Sequence, residues 1–153
     1  MKSGPDIPEA GEGKRGEEGY LGYLLRQAAH VHRQRQERAL ADLPMTLPQF
    51  AVLTMVHAYP GASGADLARL ALLTPQTVGV IVKNLLRAGL LDRAADARHG
   101  RILHLCLTES GRTMLAEAKR RVLALEEELA AGLETAKKAD LCRWLAKAAR
   151  GRD

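Results

Sequence analysis

The chain has 153 residues, of which 46% are hydrophobic and only 3% aromatic, and its formal net charge is +5 at pH 7. A chain of this length suits one domain with its own core, and an aliphatic composition favours packed helices over a β-sandwich. The two cysteines, Cys106 and Cys142, are too few for a disulfide framework or a metal cluster, so we interpret them as buried, reduced thiols.

The N-terminal residues 1–17 are rich in Gly, Glu and Lys and contain no apolar segment. This composition predicts a disordered tail and no signal peptide. No apolar run approaches the ~18 residues that a membrane-spanning helix requires. We therefore expect a cytoplasmic protein without a membrane partner, folded as a single domain over residues 18–153.

Two helices are predicted next. Apolar residues recur at helical spacing in a first helix that runs from about Glu18 to Ala41, namely Leu21, Leu24, Leu25, Ala28 and Val31. A second helix begins after Thr46, which provides an N-cap ahead of a proline, and it ends before Pro60. The buried face predicted for this second helix comprises Phe50, Leu53, Val56 and His57.

A helix-turn-helix follows the second helix. Ser63 and Asp66 have the spacing of a capping box, which predicts a short supporting helix. Thr74 repeats the start signal, because Pro75 occupies the first helical position, where its missing N–H costs nothing. The helix that begins there is predicted to end near Gly89.

This last helix has two different faces. The predicted core face carries Val78, Ile81, Val82 and Leu85. The opposite face carries Gln76, Gly79, Val80, Lys83 and Arg87. Three consecutive β-branched residues, Val80 to Val82, are poor helix formers, so packing against the module must stabilise this helix.

Two short strands then flank an arginine-rich turn. The strands begin at Leu90-Leu91 and run over 102–107, and the turn reads Asp96-Ala97-Arg98-His99-Gly100-Arg101. From Arg69 to Arg101 the chain has six cations and two anions, a net charge of +4 out of the formal +5. A helix-turn-helix followed by a basic ribbon is the order of a winged helix, which favours DNA as the partner.

The C-terminal third is predicted to contain two helices, with caps at Thr108 and Thr135. The first has a stripe at steps of three and four, made of Leu115, Ala118, Val122, Leu125 and Leu129. The second has an apolar face of Leu141, Trp144, Leu145 and Ala148. We interpret 18–45 and 109–153 as dimerisation helices that flank a DNA-binding module at 46–108.

In this order, the motifs resemble the multiple-antibiotic-resistance regulator (MarR) family of bacterial repressors over about Leu21 to Ala148. The most specific match is the turn that ends at Arg101, followed by Leu107-Thr108-Glu109-Ser110-Gly111. Leu67-Ala68 and the run from Leu85 to Leu91 resemble the family's supporting and recognition helices. The fold class expected is mainly α with a small two- to three-stranded β-wing.

The resemblance implies a homodimer that binds a palindromic operator and is released by a small amphipathic or phenolic effector. Two departures from the family pattern stand out. His99 occupies the position of an acid that usually orients the wing arginine, although Asp96 is available across the turn. Gly79-Val80 replaces a Thr-Arg pair of the recognition helix, which changes the groups available to read bases.

The residues predicted to contact DNA are Thr74, Gln76, Thr77, Val80, Lys83, Arg87, Arg98 and Arg101. The residues proposed to line an effector site, at the joint between the dimer layer and the DNA module, are Leu24, Phe50, Thr54 and His57. No cofactor, metal or catalytic group is assigned. The spacing of His30 and His32 does not place both on one helical face.

Two other classes of function remain as alternatives. An enzyme is disfavoured, because no nucleophile and base, phosphate-binding glycine loop or paired carboxylates stand at a suitable spacing. A winged helix used only for protein contacts is disfavoured by the basic excess of the module. Redox sensing through Cys106 or Cys142 has no supporting pattern.

Overall fold

The computed structural model describes residues 5–95 and 103–151. In chain order the elements are a 3₁₀ turn at Gly13–Arg15, then α1 (Leu21–Ala39), α2 (Leu47–Ala58), α3 (Gly64–Ala71), α4 (Pro75–Arg87), β1 (Leu91–Ala95), β2 (Leu103–Leu107), α5 (Glu109–Ala130) and α6 (Thr135–Ala149). The strands form an antiparallel pair in which Leu91 lies opposite Leu107 and Ala95 opposite Leu103. The mainly α fold with a small β-ribbon is confirmed.

The predicted N-terminal caps of the module's three helices are present. Ser63 accepts a hydrogen bond from the Asp66 N–H at 3.1 Å, and Asp66 accepts one from the Ser63 N–H at 3.2 Å, so this capping box is complete. Thr46 forms a second box with Gln49, and Thr74 caps α4. Each helix therefore begins where its own side chains satisfy free N–H groups, which fixes the directions of the helices locally.

The hydrophobic core occupies one part of the molecule. In the described parts of the chain, every buried hydrophobic residue lies between Leu40 and Val122. The buried set is Leu40, Met45, Val52, Leu53, Val56, Leu67, Ala68, Val78, Ile81, Val82, Leu85, Leu90, Leu91, Leu107, Leu115, Ala118 and Val122. The core thus comprises α2, α3, α4, the base of the hairpin and the first half of α5.

The α5 stripe is divided between two environments. Leu115, Ala118 and Val122 are buried in the chain's own core, whereas Leu125 is half-buried and Leu129 is exposed. The expectation that the whole stripe lies in a dimer seam is therefore wrong for Leu115, Ala118 and Val122, and for the C-terminal half of the stripe it stays a prediction. The reason is that three helices and a hairpin leave one side of the core open, and the first turns of α5 cover it.

A threonine links the end of α4 to the start of α5. The Thr108 hydroxyl donates to the Gly89 carbonyl at 2.7 Å and accepts from the Gly111 N–H at 2.9 Å. Gly89 has φ +70°, a conformation that glycine adopts without steric cost. Gly111 packs directly on the Leu90 carbonyl oxygen, and a Cβ at position 111 would overlap that atom. The Leu-Thr-x-x-Gly motif is therefore a packing requirement.

The outer helices contribute nothing to this core. None of the 19 residues of α1 is buried, and neither is any of the 15 residues of α6. Their apolar side chains are exposed, with Leu21 at 58%, Val31 at 46%, Leu141 at 43% and Trp144 at 40%. The two helices at the ends of the chain therefore leave apolar surface open on a single protomer.

The N-terminal segment differs from the expected disordered tail. The 3₁₀ turn at Gly13–Arg15 is held between two contacts, because Arg15 donates to the Pro8 carbonyl at 2.9 Å and Gln27 of α1 donates to the Arg15 carbonyl at 2.9 Å. Gly16 is buried against the backbone of Gly11, where a side chain would not fit. Within residues 5–17 this segment is therefore ordered against α1.

Three smaller expectations are corrected by the structure. Thr135 is the first residue of α6, and Glu134 is at the N-cap without a side-chain hydrogen bond, so Thr135 does not cap the helix. His57 is exposed, because α2 buries the face centred on Val52, Leu53 and Val56. Cys142 is exposed and Cys106 is half-buried, so neither thiol is enclosed in the core.

Among the helices of the described ranges, no single one is both long and apolar enough to cross a membrane. Only α3 and α4 taken together reach that length and hydropathy, and they are bent by 106° at their junction.

Candidate nucleic-acid interface

The exposed face of α4 is the centre of the candidate site. Val78, Ile81, Val82 and Leu85 are buried against the core. The residues on the other side of the same helix are exposed, and they are Gln76, Thr77, Gly79, Val80, Lys83 and Arg87. The division of faces expected from the sequence is therefore present. A helix held along its whole inner face presents the outer one as a rigid surface.

The first turn of α4 has its polar groups ordered. The Thr74 hydroxyl accepts from the Thr77 N–H at 3.1 Å and lies 2.8 Å from the Thr77 hydroxyl. The N-terminus of a helix carries free N–H groups and partial positive charge, which favour a phosphate nearby. Thr74 therefore acts as a cap, and the exposed hydroxyl pair is positioned where an anion would approach.

The middle of the exposed face is open. A Cβ built on Gly79 would meet no heavy atom within 4 Å. The neighbouring Val80 side chain is 55% exposed. At Gly79 the backbone of this face is therefore accessible, and Val80 beside it offers an exposed apolar side chain. Gln76 and Lys83 flank these two residues. Such a surface can approach base edges closely and touch a thymine methyl group.

The turn between α3 and α4 carries an unusual leucine. Leu72 has φ +56° and ψ +41°, which is the left-handed conformation that non-glycine residues seldom adopt. Its side chain is 91% exposed. The backbone bonds that end α3 hold this conformation, since the Leu73 N–H donates to the Ala68 carbonyl at 2.9 Å. The strained turn sets the direction in which α4 leaves α3.

The described part of the ribbon, beside α4, carries the exposed pair Asp92 and Arg93. Arg93 is exposed on β1, opposite Leu105 of β2. The arginines predicted at the tip, Arg98 and Arg101, lie outside the described residues, as do His99 and Asp96. Their proposed contacts with DNA consequently stay predictions from the sequence.

The predicted effector residues do not all converge. Phe50 and Thr54 line one cavity of about 410 Å³ between α1, α2 and the turn after α3, together with Arg33, Gln36, Leu47, Pro48, Ala51, Met55, Ala71, Leu72 and Leu73. Leu24 lines a different cavity of about 550 Å³, beside the N-terminal segment. His57 lines neither of these two cavities. Arg33 and Gln36 were not predicted from the sequence, although their i, i+3 spacing places them on one face of α1.

Polar side-chain contacts connect α1 to α5. His32 Nε2 lies 3.0 Å from Glu126, and Arg35 pairs with Glu128. Arg121 of α5 bonds Asp42, beyond the end of α1, and hydrogen bonding to this guanidinium lowers the pKa of the Asp42 carboxyl. These contacts join α1 and the connection that follows it to α5.

A second carboxylate belongs to the same cluster. Hydrogen bonds from Arg120 and then from Arg121 lower the pKa of the Glu117 carboxyl to about 2. Glu117 is therefore charged at any physiological pH, and Arg121 has a permanent acceptor one turn away on α5. The charge pairing at this junction does not depend on pH near neutrality.

A capped helix with a polar outer face, a supporting helix joined to it at a bend of 106° and a two-stranded ribbon after it define the winged helix-turn-helix class of DNA-binding proteins. The MarR family model matches residues 43–102. The HTH-type transcriptional repressor Rv2887 of Mycobacterium tuberculosis is 37% identical over 127 residues, which cover 83% of this chain and 91% of that relative. The chain therefore belongs to the MarR family.

Solved structures agree in fold. The crystal structure of Mycobacterium tuberculosis Rv2887 in complex with salicylic acid matches with a TM-score of 0.70 at 36% identity, covering 86% of this chain and 97% of that one. The structure of Rv2887 in complex with DNA matches with a TM-score of 0.68 at 34% identity, covering 84% and 97%. The family comprises transcriptional regulators, which is not a class of enzymes.

Proposed function

We propose that the protein is a homodimeric repressor that binds a palindromic operator through α4 and is released by a small amphipathic ligand. The observation that carries the proposal is the division of α4 into a fully packed inner face and a rigid, polar and cationic outer face. Because a repressor acts on chromosomal DNA, the proposal includes a cytoplasmic location. The relative Rv2887 is named a repressor and has been crystallised with DNA, which supports the assignment.

Each DNA-contact residue has a proposed role. Gln76, Thr77 and Val80 lie where base edges of the major groove would be read. Lys83 and Arg87 lie further along the helix and neutralise phosphates, while Thr74 keeps the helix N-terminus available to a phosphate. Arg98 and Arg101 grip the backbone and the narrow minor groove beside it, where a permanently charged, planar guanidinium is favoured.

The roles of wing and helix are separable by measurement. Arg101→Ala should weaken operator binding by about 1–3 kcal/mol and lower the slope of affinity against salt by about one unit, because one phosphate contact is lost. The preferred sequence should stay the same. Gln76→Ala should instead change the preferred base at one position of each half-site. Binding titrations at several salt concentrations, with selection from randomised half-sites, measure both effects.

The control is Arg143→Ala, which removes an exposed cation from α6, far along the chain from the module. If Arg101→Ala binds like this control at every salt concentration, the wing does not contact DNA. If the parent protein shows no salt-dependent binding to any duplex, the alternative stands, namely a winged helix that binds only protein partners.

We further propose that α1, the end of α5 and α6 form the dimer layer. These are the elements whose apolar side chains the protomer leaves exposed, including Leu25, Leu129 and Leu145. A two-fold dimer presents two α4 helices to two successive turns of the groove, which matches a palindromic site. In this proposal the helices at the two ends of the chain form the dimer, and the module in the middle of the chain contacts DNA.

For the effector we propose the cavity at Phe50 and Thr54. Its lining is mainly apolar, with Arg33 and Gln36 at one edge, and its volume of about 410 Å³ is that of a site for a small aromatic acid. The cavity lies between α1 and the strained turn before α4, so a bound ligand would contact both α1 and the DNA-binding module. That Rv2887 has been crystallised with salicylic acid supports this class of ligand.

Phe50→Leu should reduce the sensitivity of the operator complex to salicylate by about 3- to 10-fold, because a ring-to-ring contact contributes about 0.5–1.5 kcal/mol beyond burial. His57→Ala is the matched control, since His57 lies on the same helix but is exposed and lines neither cavity described above. The salicylate concentration that releases half of the operator measures both variants. Equal values for the two variants would place the effector elsewhere.

A further inference from the structure

The guanidinium of Arg121 lies where α1 and the connection to α2 meet α5. Arg121 lies on α5 beside Ala118 and Val122, which are buried in the core. Its Nη1 donates to the Ala39 carbonyl at 3.2 Å and to the Asp42 carboxylate, and its Nε donates to Glu117 at 2.8 Å. The side chain is 23% exposed, compared with 72% for the neighbouring Arg120.

The three acceptors belong to three different parts of the chain. Ala39 is the last residue of α1, and the carbonyls of the last turn of a helix lack partners within that helix. Asp42 lies in the connection that leads into α2, and Glu117 is one turn back on α5. A planar fork of five N–H donors suits this arrangement, whereas a lysine would place one point charge there.

This junction lies where α1 joins the rest of the chain. None of the residues of α1 is buried, and its contacts with α5 include that of His32 with Glu126 and the ion pair of Arg35 with Glu128. The chain enters the core immediately afterwards at Leu40, which is only 1% exposed. Arg121 therefore binds the end of the helix and the start of the connection at the point where α1 joins the core.

We propose that Arg121 is a positioning residue for operator binding, which fixes the angle between α1 and the DNA-binding module and thereby the separation of the two α4 helices in the dimer. The inference rests on the proposed function, because it needs a dimer held through α1. Its consequence is specific: loss of the guanidinium should relax the requirement for one spacing between half-sites, while the contacts within each half-site are kept.

The experiment compares Arg121→Gln with Arg120→Gln. Arg120 is the adjacent residue on α5 and bonds only Glu117 of its own helix in the described structure, so its loss controls for removal of one cation from this surface. Affinities are measured for the operator with native spacing and for operators with one or two base pairs added or removed at the centre. Dimerisation and thermal unfolding are measured in parallel.

We expect Arg121→Gln to lose about tenfold in affinity for the operator with native half-site spacing and to lose little for operators with altered spacing. The ratio between these affinities should therefore fall. Arg120→Gln should keep the parental preference. Asp42→Asn, which leaves the bonds of Arg121 to Ala39 and Glu117, should narrow the preference less. In the double variant, Asp42→Asn should change the operator affinity less than it does alone, because both substitutions break the same contact between Arg121 and Asp42.

The inference would be overturned if both Arg121→Gln and Asp42→Asn showed the same preference for half-site spacing as the parent protein. If Arg121→Gln does not fold, Asp42→Asn alone decides, because it keeps two of the three acceptors. A parent protein that binds no DNA would contradict the proposed function. In that case the unfolding free energies of the same variants still show whether Arg121 and Asp42 are coupled.

Discussion

Replacing Leu141, Trp144 and Leu145 together with glutamine is expected to give a monomer and to weaken operator binding by roughly 10²- to 10⁴-fold. These side chains are about 40% exposed on a single protomer, so their apolar surface needs a second chain to cover it. Glutamine removes that driving force without changing the charge that DNA meets. The loss is large because a dimer binds its second half-site intramolecularly, and a monomer loses this effective concentration.

Sedimentation velocity and operator titration measure the two effects in the same samples. The matched control is Ala139→Gln with Ala146→Gln, which adds the same polar groups to the opposite face of α6, where both residues are exposed. The control should remain dimeric and bind like the parent. A triple variant that still sediments as a dimer with parental affinity would remove α6 from the proposed interface.

Gly111→Ala is expected to destabilise the protein by about 1–3 kcal/mol, the usual cost of forcing extra atoms into a packed site. The new Cβ would overlap the Leu90 carbonyl oxygen, which belongs to the backbone and cannot rotate away. That carbonyl accepts the Thr108 N–H at 3.2 Å, so moving it disturbs the joint of α4 and α5. For a chain of this size the midpoint of thermal unfolding should fall by roughly 3–10 °C.

Gly79→Ala provides a comparison of opposite sign. Gly79 is also within a helix, but a Cβ there meets nothing within 4 Å. Alanine should therefore stabilise the protein by about 0.5–1 kcal/mol, since it restricts the unfolded chain and favours the helix. Calorimetry on both variants checks the pair. An unchanged or higher unfolding temperature for Gly111→Ala would show that α5 is less closely packed on Leu90 than the structure indicates.

The features predicted correctly from the sequence are those that local chemistry decides. Thr46, Ser63 and Thr74 each cap the helix that they precede, and a cap depends on residues within one turn. The two faces of α4 were readable because apolar and polar residues alternate there with a clear helical period. The order of helices and strands follows from these signals, whereas the family was predicted from the resemblance of the motifs in that order.

The features that were missed depend on contacts between distant segments. In α2 almost every residue is apolar, so the period could not show that Val52, and not His57, faces the core. The N-terminal segment is ordered through Gln27, which lies 12 residues beyond its partner Arg15. Arg121 gave no signal at all, because its acceptors Ala39 and Asp42 are about 80 residues away in the chain.

The hydroxyl of Thr108 couples the orientation of α5 to that of α4. Because it bonds Gly89 and Gly111 at once, a tilt of α5 is transmitted to the C-terminal end of α4. With 13 residues, α4 is about 20 Å long, so a tilt of about 10° displaces its far end by roughly 3 Å. That displacement equals the length of a hydrogen bond, and the far end carries Gln76. A rearrangement too small to disrupt the core would thus be enough to move Gln76 out of hydrogen-bond reach of the base that we propose it contacts.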